Sequence, residues 1–460
     1  MRRIYRNGAA LVGEAFELWE NVQLLVEDGR IVRIRREALD GAADRPGDAL
    51  RPSEGVGSGA PPAGGEEAGS ASDDAPCEVV DLKGALLLPG LVNTHGHLPM
   101  TLFRGLGGGL PLQRWLSEVI FPLERELTGE DVALGARLAL AEMIRGGTTA
   151  FADMYYFSPR IVEETLAAGL RGDIGRSVCS FDYEGDADGL ADFAEARALF
   201  REYDGAGGGR IRCDYVIHSV ETCAPAFIGS AVSYAAADGA GLLFHLAETE
   251  REVKECVERY GRTPPRVFAD CGAFDLPRAV AAHCVHLTGE DELLLAEKGV
   301  AVSHCPSSNL KLASGFARVA DYLRRGIRVT LGTDGAASNN NLNMFEELHL
   351  AALLAKGVSG DATALPARAA LRMATREGAL ALGFADAGLL AEGMAADFVA
   401  VRRDALHLLP GEDPAENLVY AAQGADVTLT VANGEILYDG ELRTIDEERL
   451  RAELKRRRRW

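Results

Sequence analysis

The stretch GALLLPGLVNTHGHLPM, Gly84 to Met100, joins an apolar run typical of a buried β-strand to a His-Gly-His triplet. Side chains two positions apart on a strand point to the same side, so His95 and His97 can converge on one point. Two neutral imidazoles placed in this way can hold a metal ion. A single pair is weak evidence, because a strand-end histidine can equally be a cap or a solvated side chain. The metal hypothesis therefore requires partners elsewhere in the chain.

Apolar β-type segments alternate with helical patterns from this stretch to about residue 383. After the first, the candidate strands are GTTAFAD (147–153), LRGDIGRSV (170–178), IRCDYVIH (211–218), GLLFH (241–245), AVAAH (279–283), GVAVSH (299–304) and IRVTLGTD (327–334). Nearly continuous apolar strands separated by helices indicate a parallel sheet that is covered on both faces. Eight such units predict an α/β protein with a (β/α)8 barrel of the TIM type.

The two ends of the chain have a β-rich pattern of their own. Turn signals at Asp28-Gly29 and Asn433-Gly434 each lie between apolar-alternating runs, which is typical of hairpins. We expect a small β-sandwich domain built from residues 1–88 and 389–460, with the barrel at residues 89–388. Residues of about 40–76 are rich in Gly, Ala, Pro and Ser and predict a flexible insertion.

The amino-acid composition limits the kinds of partner that the protein is expected to bind. A balance of 69 acidic against 48 basic residues gives a net charge of −21, which argues against a nucleic-acid partner. Apolar segments of membrane-spanning length and the apolar core of a signal peptide are both missing from the sequence. The 8 cysteines occur singly, without a CxxC pair, as expected for reduced thiols. These features predict a cytoplasmic protein without a membrane partner and leave open whether it is a homo-oligomer.

The predicted strands end in polar or ionisable residues with a regularity that scattered core histidines would not show. These residues are His95, His97, Asp153, Arg176, His218, His245, His283, His304 and Asp334. In a barrel of parallel strands such ends surround one mouth, where the chemistry takes place. The three imidazoles and one carboxylate of His95, His97, His245 and Asp334 suit one divalent metal, with a position left for water. Zn²⁺ is the first expectation, and Fe²⁺ and Mn²⁺ stay open.

Two further residues are placed to handle protons. Glu248 follows His245 by three residues and lies beyond the strand end, where a carboxylate can transfer protons near the metal without binding it. His283, at the sixth strand end, is placed to hydrogen-bond the hydroxide that the metal generates.

Several of these motifs together resemble the amidohydrolase superfamily, and within it the branch of methylthioadenosine/S-adenosylhomocysteine deaminases. The motifs are PGLVNTHGH (89–97), HLAET (245–249), AAHCVHL (281–287), SHCPSSNLKLASG (303–315), LGTDGAASNNNLNMFEE (331–347) and GMAADFVAV (393–401). The resemblance implies a metal-dependent hydrolase that deaminates adenosine-type nucleosides such as methylthioadenosine, S-adenosylhomocysteine and adenosine. In this reaction oxygen replaces the 6-amino group of the purine and ammonia is released.

The resemblance implies the metal ligands named above and assigns roles to further residues. Glu248, His283 and Asp334 would be catalytic, with Glu248 supplying protons to a ring nitrogen and to the leaving ammonia. The substrate contacts would be Glu124, Arg176, His218, Glu248 and Asp334, with Glu124 holding the ribose hydroxyls.

The 5′ end of the substrate is where this sequence departs from the family. A second substrate arginine has no counterpart, and the corresponding region reads FDYEGDADG (181–189). If the acids Asp182, Glu184, Asp186 and Asp188 face the site, they would repel the carboxylate of S-adenosylhomocysteine. We therefore expect methylthioadenosine or adenosine to be preferred.

Other functions remain as alternatives. The first is an amidohydrolase that deaminates or dechlorinates another heterocycle, such as a guanine-like purine, a pterin or a triazine. A two-metal cyclic-amide hydrolase would need a bridging lysine at the fourth strand end, which here reads YVIHS (215–219). A non-catalytic barrel that serves as a binding partner is disfavoured, because such relatives usually lose metal ligands.

Overall fold

The computed structural model describes residues 2–37, 77–181 and 183–457. The predicted insertion of about residues 40–76 lies outside the described residues, as does Asp182. Within these three ranges, no helix combines the length and the apolar character needed to cross a membrane.

Strands near both termini form one sheet, and the strands between them form a second, separate structure. In chain order they are β1 (Arg2–Val12), β2 (Glu17–Glu27), β3 (Arg30–Arg36), β4 (Glu78–Asp81), β5 (Leu86–Pro89), β6 (Leu91–Asn93), β7 (Thr148–Tyr155), β8 (Arg171–Arg176), β9 (Ile211–Arg212), β10 (Tyr215–Val216), β11 (Leu242–Leu246), β12 (Ala279–His283), β13 (Ala301–His304), β14 (Val329–Leu331), β15 (Phe398–Val401), β16 (Val427–Ala432) and β17 (Glu435–Tyr438).

Helices occupy most of the connections. The α-helices are α1 (Leu112–Trp115), α2 (Phe121–Glu124), α3 (Gly129–Arg145), α4 (Ser158–Ala168), α5 (Ala191–Tyr203), α6 (Ala206–Gly209), α7 (Pro225–Asp238), α8 (Glu250–Tyr260), α9 (Pro264–Asp270), α10 (Gly289–Lys298), α11 (Pro306–Lys311), α12 (Val319–Arg324), α13 (Met344–Ser359), α14 (Ala367–Met373), α15 (Arg376–Ala381), α16 (Pro414–Tyr420) and α17 (Glu447–Arg456). A π-helix, Leu116–Ile120, joins α1 to α2. Short 3₁₀ helices span Leu98–Phe103, Ala187–Gly189, Ala273–Asp275, Leu406–Leu408 and Gly424–Asp426.

Strands β6 to β14 form the predicted parallel barrel. The strands β6 to β9 pair in sequence order, and so do β10 to β14. The fourth barrel strand consists of two halves, β9 and β10, which only Cys213 and Asp214 separate. The ring closes between β6 and β14, where the Thr94 amide donates to the Leu331 carbonyl at 2.9 Å. Eight parallel strands therefore place all their carboxyl ends at one mouth.

The first predicted strand divides in two at Gly90. Strand β5 joins the terminal sheet, whereas β6 opens the barrel. A side chain at Gly90 would place its Cβ 2.0 Å from Thr149 Oγ1, so the chain can turn from one sheet into the other here only with glycine. The single strand expected from the sequence is wrong in this respect, because an apolar run does not show which sheet each of its residues joins.

The terminal sheet has the order β17-β16-β15-β5-β1-β2-β3, with β4 paired to β1. Both predicted hairpins are present, and all four residues of their turns, Asp28-Gly29 and Asn433-Gly434, have positive φ as a type I′ turn requires. Strands from both termini thus build the expected β domain, although their hydrogen bonds form one continuous sheet.

The terminal sheet has an apolar core of its own. A buried ion pair connects it to the barrel. The rings of Tyr5 and Phe398 meet edge to face in this core, with centroids 4.9 Å apart. At the boundary, Arg171 Nε of β8 lies 2.6 Å from Asp397 Oδ2, and both side chains are buried. Breaking such a buried pair by removing one partner is strongly destabilising, so the contact holds the two sheets together.

Candidate metal centre and catalytic cavity

Four of the predicted strand-end residues surround one point at the barrel mouth. His95 and His97 follow β6, His245 lies in β11, and Asp334 follows β14. Asp334 Oδ1 lies 3.3 Å from His95 Nε2 and 3.2 Å from His97 Nε2. The Nε2 atoms of His97 and His245 are 3.4 Å apart. Tetrahedral ligands that lie about 2.1 Å from one zinc ion are about 3.4 Å from one another, so these spacings suit a single ion.

Hydrogen bonds behind the rings turn the Nε2 atoms inward. His97 Nδ1 lies 2.7 Å from the Met154 carbonyl oxygen, and His245 Nδ1 lies 3.0 Å from the His218 carbonyl oxygen. A carbonyl only accepts, so each ring carries a proton on Nδ1. Burial lowers the pKa of His245, which leaves a lone pair on its Nε2. Burial alone would also lower the pKa of His97, but Asp334 outweighs it and raises that pKa to about 9, so a cation bound there would take the place of the proton on His97 Nε2. Such contacts fix the tautomer and the orientation of histidines that bind metals.

The surroundings of the His95 ring show whether these residues suit a metal ion. Its Nε2 is buried, and because the contact of 3.3 Å with Asp334 Oδ1 does not have hydrogen-bond geometry, it has no hydrogen-bond partner among the described residues. Burial lowers the pKa of His95 to about 4, so its ring is neutral near pH 7 and offers a lone pair. A buried polar atom without a partner needs an explanation, and a cation at the centre of the cluster supplies one. The residues therefore fit a divalent metal.

Asp334 is held by donors on both oxygens, and Oδ1, which accepts the Gly335 amide at 2.8 Å, also faces the histidines. Its Oδ2 accepts hydrogen bonds from Ser308 Oγ at 2.6 Å and from Ser338 Oγ at 2.8 Å. Burial by itself would raise the pKa of Asp334, but the adjacent His95 and His97 outweigh it and hold that pKa well below its usual range. The carboxylate is thus ionised and its Oδ1 is directed to the cluster.

The backbone is left-handed at several positions around the mouth. Residues other than glycine with positive φ include Ala247 (49°), His283 (70°), Cys284 (50°) and Asp334 (59°). This conformation is uncommon for residues with a side chain, and it concentrates at functional sites that the surrounding structure holds in place. Here it directs the residues at the ends of three barrel strands towards the mouth.

Glu248 and His283 lie together beside the cluster. Glu248 Oε2 is 3.7 Å from His283 Nε2, and Glu248 Oε1 accepts a hydrogen bond from Ser314 Oγ at 3.1 Å. His283 Nδ1 lies 2.9 Å from Asn309 Oδ1, which fixes the ring. Burial raises the pKa of Glu248, as suits a carboxyl group that exchanges protons near neutral pH. Nothing in the sequence indicates this contact of Ser314 beyond the residue's place in a motif.

Two of the three substrate contacts taken from the resemblance alone line the cavity in front of the cluster. Glu124 is one of them, and burial raises its pKa to about 7 although Tyr155 and His97 act in the opposite direction. His218 is the second, and burial lowers its pKa to about 4. Its ring centroid is 4.7 Å from that of His245, so it lies directly beside the cluster.

Arg176, the third expected substrate contact, is not among the residues that line this cavity. Its guanidinium group lies 2.9 Å from Asp192 and 2.8 Å from Glu195, both on α5. It also lies over the ring of Tyr156, 5.0 Å from the centroid. The next residue, Ser177, does line the cavity. Successive side chains of an extended segment point to opposite sides, which explains why the arginine faces the helix.

Of the four acids expected to crowd the 5′ end, the three that the structure describes do not line the cavity either. Asp186 accepts a hydrogen bond from the Tyr234 hydroxyl at 3.0 Å, and Asp188 forms an ion pair with Arg197. Glu184 is also absent from the described cavity lining. The argument that these side chains repel a substrate carboxylate is therefore wrong for the described residues.

Two other strand-end residues, Asp153 and His304, lie outside the described lining of the catalytic cavity. Asp153 Oδ1 accepts a hydrogen bond from the Leu98 amide at 2.6 Å and so fixes the start of the segment after the histidine pair. His304 is buried.

The chain is similar to known proteins over most of its length. The Amidohydrolase family profile matches residues 86–437. A 5-methylthioadenosine/S-adenosylhomocysteine deaminase of Moorella thermoacetica is 45% identical over 403 residues, which are 86% of this chain and 91% of that protein. A 5′-deoxyadenosine deaminase of Methanosarcina mazei is 46% identical over 373 residues, 81% and 85% of the two chains. The crystal structure of an adenosine deaminase from Xanthomonas campestris with bound zinc has a TM-score of 0.85 at 32% identity, covering 99% of this chain and 97% of that one.

Proposed function

The chain belongs to the amidohydrolase family, and from that premise we propose that it is a metal-dependent deaminase of adenosine-type nucleosides. Water replaces the 6-amino group of the purine, and ammonia leaves. The observation that carries the proposal is the cluster of inward-facing Nε2 atoms and the Asp334 carboxylate, with Glu248, whose side chain is 12% exposed, beside it. The names of the relatives from Moorella and Methanosarcina support the nucleoside class.

The metal would be held by His95, His97, His245 and Asp334. Zn²⁺ suits a set of imidazole and carboxylate donors, and the zinc in the Xanthomonas structure supports this choice over Fe²⁺ or Mn²⁺. A cation bound there lowers the pKa of water and so supplies hydroxide at neutral pH.

The chain's own side chains would move the protons. Glu248 donates its proton to a ring nitrogen of the purine, then takes up the proton of the hydroxyl group added at C6 and passes it to the departing amino group, while Ser314 keeps its carboxyl group in place. His283 hydrogen-bonds the attacking water through Nε2, because Asn309 occupies its Nδ1. Asp334 accepts a proton from that water, and this proton returns to Glu248 before the next turnover.

Glu124 and His218 would bind the nucleoside. A carboxylate accepts two hydrogen bonds, so Glu124 suits the pair of ribose hydroxyls. His218 is neutral near pH 7 and therefore contacts the substrate by a hydrogen bond and not by charge. Arg176 is left out of the binding set, because Asp192 and Glu195 occupy its guanidinium group.

Ammonia release from a panel of substrates tests the proposal. The zinc-loaded chain is incubated with adenosine, 5′-deoxyadenosine, methylthioadenosine, S-adenosylhomocysteine, guanine and a chlorotriazine. Release from at least one adenosine-type nucleoside, together with formation of the 6-oxo product, is the expected result. Turnover of guanine or the triazine with none of the adenosine-type compounds would overturn the proposal in favour of another heterocycle.

A further inference from the structure

The catalytic cavity is polar at the metal cluster and apolar on one side. The apolar wall consists of Leu112, Trp115, Leu116, Ile120 and Phe121, which come from α1, the π-helix and the start of α2. Glu124, the proposed ribose contact, ends the same short segment. A group that extends beyond the ribose therefore meets this wall. Single-turn π-helices are rare and often lie at functional sites, which agrees with this placement.

Among the described residues that line the cavity there is no arginine or lysine. The acidic side chains Glu124, Glu221, Glu248, Glu252 and Asp334 do line it. Two basic residues close in sequence to lining residues, Lys311 and Arg176, are engaged elsewhere. Lys311 donates to the Ala337 carbonyl at 2.9 Å, and the ion pairs of Arg176 with α5 were described above.

Resting on the proposed function, we propose that this cavity selects nucleosides whose 5′ substituent is uncharged over those whose 5′ substituent ends in a carboxylate. A methyl or methylthio group gains by burial against the wall. The amino acid end of S-adenosylhomocysteine carries an ammonium group and a carboxylate, and both would lose water against this wall. For the carboxylate, the described lining offers no guanidinium or ammonium group in exchange, which is unfavourable. The wall, and not the acidic 181–189 segment, thus distinguishes the substrates.

Comparing kcat/KM for four nucleosides separates the effect of the charge of the 5′ substituent from the effect of its length. Methylthioadenosine and 5′-deoxyadenosine have short neutral groups, 5′-butylthioadenosine has a long neutral group, and S-adenosylhomocysteine has a long charged one. We expect the two short compounds and the butylthio compound to exceed S-adenosylhomocysteine by about tenfold or more, which corresponds to about 1.4 kcal/mol. Equal values for S-adenosylhomocysteine and the short compounds, or an equal loss with the butylthio compound, would overturn this inference. Failure of all four would instead contradict the proposed function.

A cation placed in the wall gives a second test. Leu116→Arg is expected to raise kcat/KM for S-adenosylhomocysteine relative to methylthioadenosine at least severalfold. Ser117→Arg is the matched control, since Ser117 is exposed, adjoins Leu116 and does not line the cavity. It should leave the ratio unchanged. An unchanged ratio in folded, metal-loaded Leu116→Arg would contradict the role of the wall.

A second inference has an independent basis in the backbone beneath Glu248. The carboxylate of Glu252 accepts the amide of Ala247 at 2.9 Å through Oε1 and the amide of Glu248 at 2.7 Å through Oε2. Glu252 is only 3% exposed. On the other side, the Ala247 carbonyl accepts amides from Val285 at 3.0 Å and His286 at 2.9 Å. The left-handed Ala247 is therefore held from both sides.

We infer that Glu252 is a positioning residue for Glu248. Both of its oxygens are used to hold the turn from which the Glu248 side chain projects towards His283. Glutamine in its place offers one acceptor and one donor, so one of the two amides loses its partner. The turn can then relax, and Glu248 no longer reaches the reacting atoms at the same distance.

A double-mutant comparison distinguishes this role from a merely structural one. Glu252→Gln should lower kcat severalfold or more in the wild-type background with little change in KM. In a Glu248→Gln background it should have almost no further effect, because the group it positions is already disabled. An equal loss of kcat in both backgrounds would overturn the inference. Glu255→Gln on the same helix, where Glu255 pairs with exposed Arg251, should be neutral in both.

Discussion

His97 Nε2 lies 3.2 Å from Asp334 Oδ1, although the two residues belong to the first and the last strands of the barrel. These strands meet at the seam where the ring closes, and the Asp334 amide donates to the His95 carbonyl at 3.0 Å across it. A metal held between these side chains therefore joins the two ends of the barrel. Metal binding and stability of the fold should be coupled for this reason.

We expect one divalent ion per chain, and we expect its removal to lower the thermal midpoint. A ligand present at 100 times its Kd stabilises the folded state by about 2.7 kcal/mol. Elemental analysis and melting curves before and after chelation measure both effects. His97→Ala should lose the ion, whereas His407→Ala should keep it, since His407 pairs with Asp426 and does not line the cavity. Two tightly bound ions, or none after metal-supplemented expression, would refute the single-metal site.

Glu248→Gln should keep the metal and lose turnover. The amide preserves the shape of the side chain but cannot deliver the proton, so kcat should fall on the order of 10²–10⁴-fold. Steady-state ammonia release and metal content are the measurements. A variant that worked at nearly the wild-type rate would show that Glu248 is only a neighbour of the metal cluster.

Ser314→Ala should have a smaller effect in the same direction. It removes one hydrogen bond to Glu248 Oε1 and leaves the carboxyl group itself in place. A hydrogen bond of this kind contributes about 1 kcal/mol, so kcat should fall about fivefold. An effect as large as that of Glu248→Gln would mean that Ser314 itself takes part in the chemistry.

The barrel and the metal cluster could be predicted because each depends on a local pattern. Apolar runs mark the strands, and the barrel brings their polar ends to one mouth whatever lies between them. Arg176 shows where this reasoning stops. Its position at a strand end was correct, but the side to which it points depends on the alternation of side chains in the last residues of β8. The roles of Ser314 and Glu252 depend on the folding of loops, which no periodicity encodes.

The insertion should be dispensable for activity. Its composition is poor in apolar side chains, and residues 40–76 contain no candidate metal ligand of the cluster. Replacing residues 40–75 by a flexible linker of about 12 residues, which spans up to about 40 Å when extended, should leave kcat/KM within about twofold. A folded, metal-loaded but inactive deletion variant would show that the segment contributes to the site.

Glu124, the proposed ribose contact, should lower the stability of the folded chain above neutral pH. Burial raises its pKa from 4.5 to about 7, so the folded chain holds this proton more tightly than the unfolded chain does. The contribution of the neutral carboxyl group is complete below about pH 4.5 and is lost as the pH rises through about 7. Glu124→Gln removes this titration. It should therefore be more stable than the wild type at pH 8, on the order of 1–3 kcal/mol, and lose that advantage towards pH 5.

The same variant should raise KM for nucleosides at pH 8, because an amide accepts only one of two ribose hydroxyl protons well. Denaturant unfolding at pH 5 and pH 8 together with KM at pH 8 measures both effects. A variant that is less stable than the wild type at pH 8, with unchanged KM, would place Glu124 in the framework of the fold and not at the substrate.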